Sequence, residues 1–126
     1  MKFTQTNKAP SAIGPYSQAV VVNGMVYTSG QIALLPDGSE ELLKDGGVAP
    51  QAKQVLENLK VVLEESGSSM DKVVKTTIFL SSMDDFTTVN EIYGDIFGDH
   101  KPVRSTVAVK TLPKNALVEI DAVALV

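Results

Sequence analysis

The stretch Pro102–Asp121, PVRSTVAVKTLPKNALVEID, decides the fold because it holds two strand patterns and a turn. Residues 103–109 are β-branched and alternate in character, and residues 117–125 alternate again after the turn residues Pro113–Asn115. Side chains along a strand point to opposite faces in turn. We therefore predict two strands joined by a turn, with apolar faces that pack on one core. These faces are formed by Ser105, Val107 and Val109 in the first strand and by Val118, Ile120, Ala122 and Ala124 in the second.

Arg104 and Glu119 are the charged residues of interest in this stretch. If both apolar faces pack on the same core, Arg104 and Glu119 emerge together on the opposite face, with Asp121 beside Glu119. Arg104 is the only arginine of the chain, and a guanidinium can grip a carboxylate or phosphate through two parallel hydrogen bonds. The spacing fits both a functional pair and a structural ion pair within the sheet.

Strand patterns also dominate the N-terminal part of the chain. Residues 19–22 and 25–31 flank Asn23-Gly24, which predicts a tight hairpin because a type I′ turn needs positive φ at both central residues. Residues 2–6 fit a short edge strand, and residues 72–80 fit another strand. Residues 34–47, rich in glycine and acidic residues, are predicted to form a surface loop.

Two segments have helical rather than strand periodicity. The first begins near Val48, has Pro50 in its first turn and ends at Gly67. The second begins at Ser82 and ends at Gly98. The predicted buried stripes are Ala52, Val55, Leu56, Leu59, Val62 and Leu63 in the first helix, and Phe86, Val89, Tyr93 and Ile96 or Phe97 in the second.

This order of elements predicts an α+β fold with two helices on one face of a mixed sheet. Residues 20–32 are apolar at nearly every position, which indicates burial on both faces of the sheet. Two helices can cover only one face. We therefore expect an oligomer whose subunits pack sheet against sheet.

Composition narrows the classes of function. The 126 residues fit one domain, residues 1–126, and the net charge of −4 offers no basic surface for a nucleic acid. We expect no membrane span and no signal peptide, because no sufficiently long apolar run occurs and residues 1–11 lack an apolar core. The absence of cysteine fits a reducing compartment, so a cytoplasmic protein is expected. His100, the only histidine, is predicted to be an exposed loop residue, and no metal site is expected.

Four motifs resemble the RidA family, also called YjgF/YER057c/UK114, and span nearly the whole chain. They are Pro102–Ser105 with Leu117–Ile120, Gly14–Ala19, Tyr27–Gln31 and Gln54–Leu59. The resemblance implies a mixed six-stranded, chorismate-mutase-like fold and a homotrimer whose sheets form a central barrel, with sites at the subunit interfaces. It also implies a deaminase that hydrolyses 2-imino acids to 2-keto acids and ammonia, without a cofactor.

The resemblance assigns catalytic roles to Arg104 and Glu119. Arg104 would hold the substrate carboxylate, and Glu119 would orient and deprotonate a water that attacks the imine carbon. A carboxylate beside Arg104 is expected to stay ionised. Asp121, about 7 Å further along the same face, is expected to be structural.

Substrate contacts are expected from Tyr16, Ser29, Gly30 and Thr106. Gly30 permits close approach of a ligand to the backbone, and Tyr16 would close the pocket with its ring. Thr106 stands where the family commonly has cysteine. We infer that the backbone, not the side chain, matters at this position.

Two other functions remain open. The same carboxylate clamp could belong to a regulatory module that senses a keto acid or amino acid without turnover. A ribonuclease activity is attached to some relatives, but the acidic composition and the single histidine argue against it here.

Overall fold

The computed structural model describes all 126 residues, and its centre is one six-stranded mixed sheet. The strands are β1 (Lys2–Thr4), β2 (Ala19–Val22), β3 (Met25–Thr28), β4 (Val73–Leu80), β5 (Val103–Ala108) and β6 (Val118–Leu125). Their order across the sheet is β1-β2-β3-β6-β4-β5, and only β4 and β5 run parallel. The predicted mixed α+β sheet is confirmed.

Three α-helices accompany the sheet: α1 (Glu41–Lys44), α2 (Val48–Glu65) and α3 (Phe86–Phe97). The long helices α2 and α3 pack together on one face of the sheet, as predicted. The short helix α1 lies within residues 34–47, where the sequence predicts only a loop. None of the helices combines the length and the hydropathy that a membrane crossing needs.

The predicted apolar stripe of α2 is buried in full and packs on the small residues of β6. In α3 the buried residues are Val89, Tyr93 and Phe97, whereas Ile96 is exposed and Phe86 is partly covered. Phe97 is therefore the residue that completes the stripe. The core lies between these two helices and the face of the sheet formed by residues such as Val26 and Ile78.

Local turn chemistry agrees with the sequence at two positions. Asn23 and Gly24 both have positive φ, 52° and 74°, and join Val22 to its partner Met25. Gly67 has φ of 86° and ends α2 with the paired hydrogen bonds of a Schellman motif. Strand β3 is shorter than predicted, because beyond Thr28 only Gln31 pairs, through an isolated bridge to Ile120.

The relation between β5 and β6 differs from the prediction. The two strands are not neighbours, because β4 lies between them. Thr76 of β4 pairs with Arg104 on one side and Ala122 on the other, so Arg104 lies on the same face as the core residue Ala122. Phe79 pairs with Glu119 and Val107, which lie on the opposite face. The predicted common face for Arg104 and Glu119 is therefore wrong.

The face of the sheet opposite the helices, here called the outer face, has no cover within the chain. The register assigns to it the apolar residues Phe3, Val20, Tyr27, Phe79, Val103, Val107 and Val123. Val103 is 63% exposed and Tyr27 is 45% exposed. Exposed apolar side chains in this number on one face are unusual in a monomer, although Lys75, Glu119 and Asp121 lie on the same face. The oligomer that would cover it remains a prediction.

Candidate functional site

Glu119 projects from β6 onto the outer face and lies directly over Gly30. A Cβ atom built on Gly30 would lie only 2.6 Å from Oε2 of Glu119 and 2.8 Å from its Cδ, so a side chain at position 30 would force this carboxylate to move. The two residues are brought together because Gln31 and Ile120 exchange two backbone hydrogen bonds, of 2.9 and 3.1 Å. Glycine at position 30 is thus explained by close approach of a side chain.

The environment of Glu119 favours its protonated form. Partial burial raises the pKa of Glu119 above its usual value, and the negative charge of Asp121 raises it further. Burial also raises the pKa of Asp121, although hydrogen bonding to Thr77 and the charge of Lys75 act in the opposite direction. The expectation that Arg104 keeps Glu119 ionised is wrong for the single chain, because Arg104 lies on the other face of the sheet.

Tyr16 and Ser29 lie on the same side as Glu119. The Ser29 hydroxyl donates to the carbonyl oxygen of Ser17 at 2.5 Å, which fixes the end of β3 to the segment that carries Tyr16. The exposed Tyr16 ring lines one small cavity with Gly30 and another with Ser29, and its hydroxyl accepts a hydrogen bond from the Ile13 amide. Tyr16, Ser29, Gly30 and Glu119 are called the Glu119 group below.

Arg104 lies on the helix side of β5, over aromatic rings of α3. Its guanidinium carbon is 4.9 Å from the centre of the Tyr93 ring and 5.8 Å from that of Phe86, which is cation–π geometry. The two ion pairs of the chain join Lys8 to Glu65 and Lys114 to Glu40, so Arg104 has no carboxylate partner. A structural ion pair between Arg104 and Glu119 within one chain is thereby excluded.

Thr106 lies beside Arg104 in a shallow pocket at the edge of the sheet. Its hydroxyl oxygen is the one buried side-chain polar atom that finds no hydrogen-bond partner. Phe86, Val89 and Asn90 of α3 complete this part of the pocket. Burying a hydroxyl without a partner is unfavourable, so the Thr106 side chain is a polar group whose hydrogen bond the single chain leaves unmade.

Three residues of α3 were not predicted to belong to a site: Phe86, Asn90 and Tyr93. The sequence places Phe86 and Tyr93 on the helical stripe that faces the core, and the structure agrees. Their rings also lie under the Arg104 guanidinium. Tyr93 further bonds to Thr76 through its hydroxyl at 2.7 Å, and burial raises its pKa. Phe86, Asn90, Tyr93, Arg104 and Thr106 are called the Arg104 group below.

His100 is not the exposed loop residue that the sequence predicts. It is partly buried, its Nε2 atom lies 2.7 Å from the Val73 carbonyl oxygen, and its ring contacts Phe97. No cluster of three or more His, Cys, Asp or Glu side chains has the arrangement of a metal site. The candidate functional residues thus form two separate groups: the Glu119 group on the outer face of the sheet and the Arg104 group on the helix side.

Comparison with known proteins gives the family. The family model described as Endoribonuclease L-PSP, which covers the YjgF/RidA proteins, matches residues 6–126. The chain belongs to the RidA family. The resemblance seen in the four sequence motifs is confirmed.

Curated relatives of this RidA-family chain have different names. The human protein named 2-iminobutanoate/2-iminopropanoate deaminase is 48% identical over 98% of this chain and 89% of its own length. A protein of Lactococcus lactis named putative regulator AldR is 44% identical over 98% of this chain and 97% of its own length. Both an enzyme name and a regulator name therefore occur among close relatives.

Solved structures of RidA-family proteins have the same fold. A putative endoribonuclease from Thermotoga maritima is 51% identical, with a TM-score of 0.94 over 100% of this chain and 98% of its own. E. coli TdcF with bound serine is 40% identical, with a TM-score of 0.92 over 100% of this chain and 99% of its own. The TdcF complex contains a small molecule that has a carboxylate and an amino group.

Proposed function

We propose that this chain is an imine deaminase, a hydrolase acting on C=N bonds that converts 2-iminobutanoate and 2-iminopropanoate to 2-keto acids and ammonia. Such imines derive from 2-aminocrotonate and 2-aminoacrylate, which dehydratases that use pyridoxal phosphate release from threonine and serine. They damage other proteins before they hydrolyse unaided, so the proposed role is their removal in the cytoplasm. The name of the human relative supports this reaction.

The observation that carries the proposal is the state of the two charged groups. Arg104 presents a guanidinium that no acceptor of the chain occupies, and a bound carboxylate would supply the missing partner. Glu119 is a partly buried carboxyl whose pKa is raised. A raised pKa makes a carboxylate a stronger base, which favours accepting a proton from water. An anion-binding group and a proton-transferring group are the two parts that imine hydrolysis needs.

We propose that the complete site forms between two copies of the chain. Within one chain the Arg104 group and the Glu119 group lie on opposite faces of the sheet, so they cannot act on one small molecule together. Strand β5 lies at the edge of the sheet, where a second copy can reach it. A homotrimer with its outer faces around a central barrel would place the Arg104 group of one copy against the Glu119 group of the next.

In the assembled site each group has a defined step. Arg104 holds the substrate carboxylate by two parallel hydrogen bonds and so fixes the imine carbon opposite Glu119. Glu119 accepts a proton from water as the water oxygen bonds to that carbon, and passes this proton to nitrogen, which gives a carbinolamine. Glu119 then accepts the hydroxyl proton of the carbinolamine and passes it to nitrogen, so the C–N bond breaks and ammonia leaves as the keto group forms. Imine and water thus yield keto acid and ammonia, without a redox change.

We propose substrate contacts for the remaining groups. The hydroxyl of Thr106 has no partner within the chain and lies beside Arg104, so it would donate to the substrate carboxylate if the pocket that they line opens in the assembled site. On the other side, Ser29 and Gly30 are half-buried next to Glu119, and the exposed Tyr16 ring, which lines a small cavity with Gly30, can close the pocket. The serine bound to TdcF is likewise a small molecule with a carboxylate.

The direct test is a coupled assay with a threonine dehydratase, in which the appearance of 2-ketobutyrate is followed with and without the protein. We expect acceleration by the wild-type chain. Arg104→Ala should lower kcat/KM by roughly 10- to 100-fold, the equivalent of losing a charge-assisted hydrogen bond. Arg104→Lys keeps the positive charge but not the guanidinium that donates two parallel hydrogen bonds, and should recover only part of the lost activity. Unchanged 2-ketobutyrate appearance, or full activity in Arg104→Ala, would contradict the proposal.

The second candidate is a regulatory module that binds a small carboxylate without turnover, and the name of the Lactococcus relative favours it. The Arg104 group could hold a keto acid in the same way. Titration calorimetry with 2-ketobutyrate distinguishes the two functions. Measurable binding without any acceleration of imine hydrolysis would favour the module.

A ribonuclease function is suggested by the description of the family model and by the name of the Thermotoga maritima structure. The net charge of −4 and the single histidine, whose ring contacts the Val73 carbonyl, oppose it. A nuclease activity that elutes away from the protein peak on further purification would remove this candidate.

A further inference from the structure

Helix α2 carries amide side chains on the face that it buries. Gln51, Gln54 and Asn58 are spaced three and four residues apart, so they form one line along the helix. Gln51 is 2% exposed and Asn58 is 1% exposed. A buried amide lowers stability unless its hydrogen bonds are made, so the partners of these side chains indicate what they are for.

The amides of α2 bond to the backbone of two loops, not to other helices. Nδ2 of Asn58 donates to the carbonyl oxygens of Leu34 at 2.8 Å and Ile32 at 3.3 Å. Oδ1 of Asn58 accepts from Nε2 of Gln54 at 2.9 Å, which fixes the orientation of the Asn58 amide. Oε1 of Gln51 accepts from the backbone N–H of Leu117 at 2.9 Å.

Both loops lead directly into the Glu119 group. Leu117 stands two residues before Glu119, and Ile32 stands two residues after Gly30. The bridge between Gln31 and Ile120 joins the two segments to each other. The buried amides therefore hold, from the helix side, the two pieces of backbone whose contact sets the position of the Glu119 carboxylate.

We propose that Gln51 and Asn58 are positioning residues that keep Gly30 and Glu119 in register for proton transfer. This inference rests on the proposed deaminase function. The contact leaves little room for error, because a Cβ on Gly30 would already overlap the Glu119 carboxylate. A displacement of about 1 Å in a catalytic group can lower a rate by roughly 100-fold, so small movements of these loops matter.

The test compares Asn58→Leu and Gln51→Met with Ser66→Ala. Ser66 is a buried polar residue just past the end of the same helix, and its hydroxyl bonds to Thr4 and Val62, away from the Glu119 group. All three variants should have lower melting temperatures. Only Asn58→Leu and Gln51→Met should lower kcat, by about tenfold or more, with KM within about twofold of wild type because Arg104 still holds the substrate carboxylate.

A conservative variant separates positioning from general stability. Gln51→Glu keeps an oxygen that can accept from Leu117, so its kcat should recover relative to Gln51→Met even if its melting temperature does not. If Asn58→Leu does not fold, Gln54→Leu removes the bond that orients Asn58 and should give the same lowering of kcat in smaller degree. Wild-type kcat in Asn58→Leu and Gln51→Met, with melting temperatures as low as that of Ser66→Ala, would overturn the inference.

A measurement without substrate keeps this inference distinct from the proposed function. Amide hydrogen exchange at Gln31 and Leu34 should become faster in Asn58→Leu and should stay at the wild-type rate in Ser66→Ala. If wild type does not hydrolyse imines, the proposed function fails while the exchange data still report on positioning. Unchanged exchange at both amides in Asn58→Leu would overturn the positioning role by itself.

Discussion

At the scale of single residues, the sequence draws attention to individual side chains but does not predict their surroundings. Arg104 is conspicuous as the one arginine, and Gly30 as a glycine at a strand end. The carboxylate above Gly30 could not be predicted, because it comes from a strand nearly ninety positions later in the chain. The raised pKa of Glu119 has the same origin, since burial and the neighbouring Asp121 are properties of the assembled sheet.

Replacing Gly30 tests the close contact with Glu119. In Gly30→Ala the new methyl group would lie 2.6 Å from Oε2 of Glu119, so the carboxylate must move. We expect kcat to fall by about tenfold or more. Gly94→Ala is the matched control, because Gly94 lies in α3 with no heavy atom within 4 Å of the added carbon. It should gain about 0.5–1 kcal/mol of stability and keep wild-type kinetics. If Gly30→Ala and Gly94→Ala have the same kcat, the close contact between Gly30 and Glu119 does not matter for the reaction.

The pH dependence of stability tests the environment of Glu119. A raised pKa in the folded chain means that folding favours the protonated carboxyl. This contribution to stability is fully present below the ordinary glutamate pKa of about 4.3 and is lost as the pH rises through the raised value. Glu119→Gln cannot ionise, so it should be more stable than wild type at pH 8, with the difference vanishing near pH 4. Melting curves across this range check it, with the exposed Glu57→Gln as a control for net charge. If the difference in stability between Glu119→Gln and wild type is the same at pH 4 and pH 8, the pKa of Glu119 is not raised in the folded chain.

At the scale of elements, local patterns predicted more than long-range ones. The hairpin at Asn23-Gly24 and the buried stripe of α2 follow from turn chemistry and helical periodicity, and both are confirmed. The faces of β5 are opposite to those predicted, because its apolar residues Val103 and Val107 lie on the outer face. Alternation shows which residues share a face, but only the strand order shows which face meets the core.

The aromatic rings of α3 should contribute to substrate binding through Arg104. Tyr93→Leu removes the ring 4.9 Å from the guanidinium, so Arg104 loses its support. A cation–π contact at a partly exposed site is worth about 0.5–1 kcal/mol, so KM should rise roughly two- to fivefold. Phe97→Leu is the control, since Phe97 is a buried ring of α3 that contacts Tyr93 but not Arg104. The same KM in both variants would show that the ring does not support Arg104.

At the scale of the whole molecule, the outer face is the feature that one chain leaves incomplete. The helices cover the other face, and both halves of the candidate site border regions that a second copy could reach. The sequence predicts that this face is covered, because the two strand segments within residues 20–32 are mostly apolar. The number of copies comes only from the family resemblance.

A charge on the outer face tests the assembly. Tyr27 lies in the middle of that face and is 45% exposed in the chain alone, so Tyr27→Asp should fold but resist burial against another copy. Light scattering should give a mass near 13.4 kDa for this variant and about three times that for wild type. Ile96→Asp places the same charge on the helix side at 42% exposure and should leave the wild-type mass unchanged. A wild-type mass near 13.4 kDa at micromolar concentration would contradict the oligomer.

The central claim is that Arg104 of one copy and Glu119 of another serve the same substrate, and mixing two impaired variants tests it most directly. Arg104→Ala and Glu119→Ala are each expected to keep no more than about a tenth of wild-type activity alone. Unfolded together in equal amounts and refolded, they should regain about a quarter of wild-type activity, because each site needs one intact residue from each of two copies. If the mixture stays as inactive as its components, the two residues do not meet across an interface and the account is wrong.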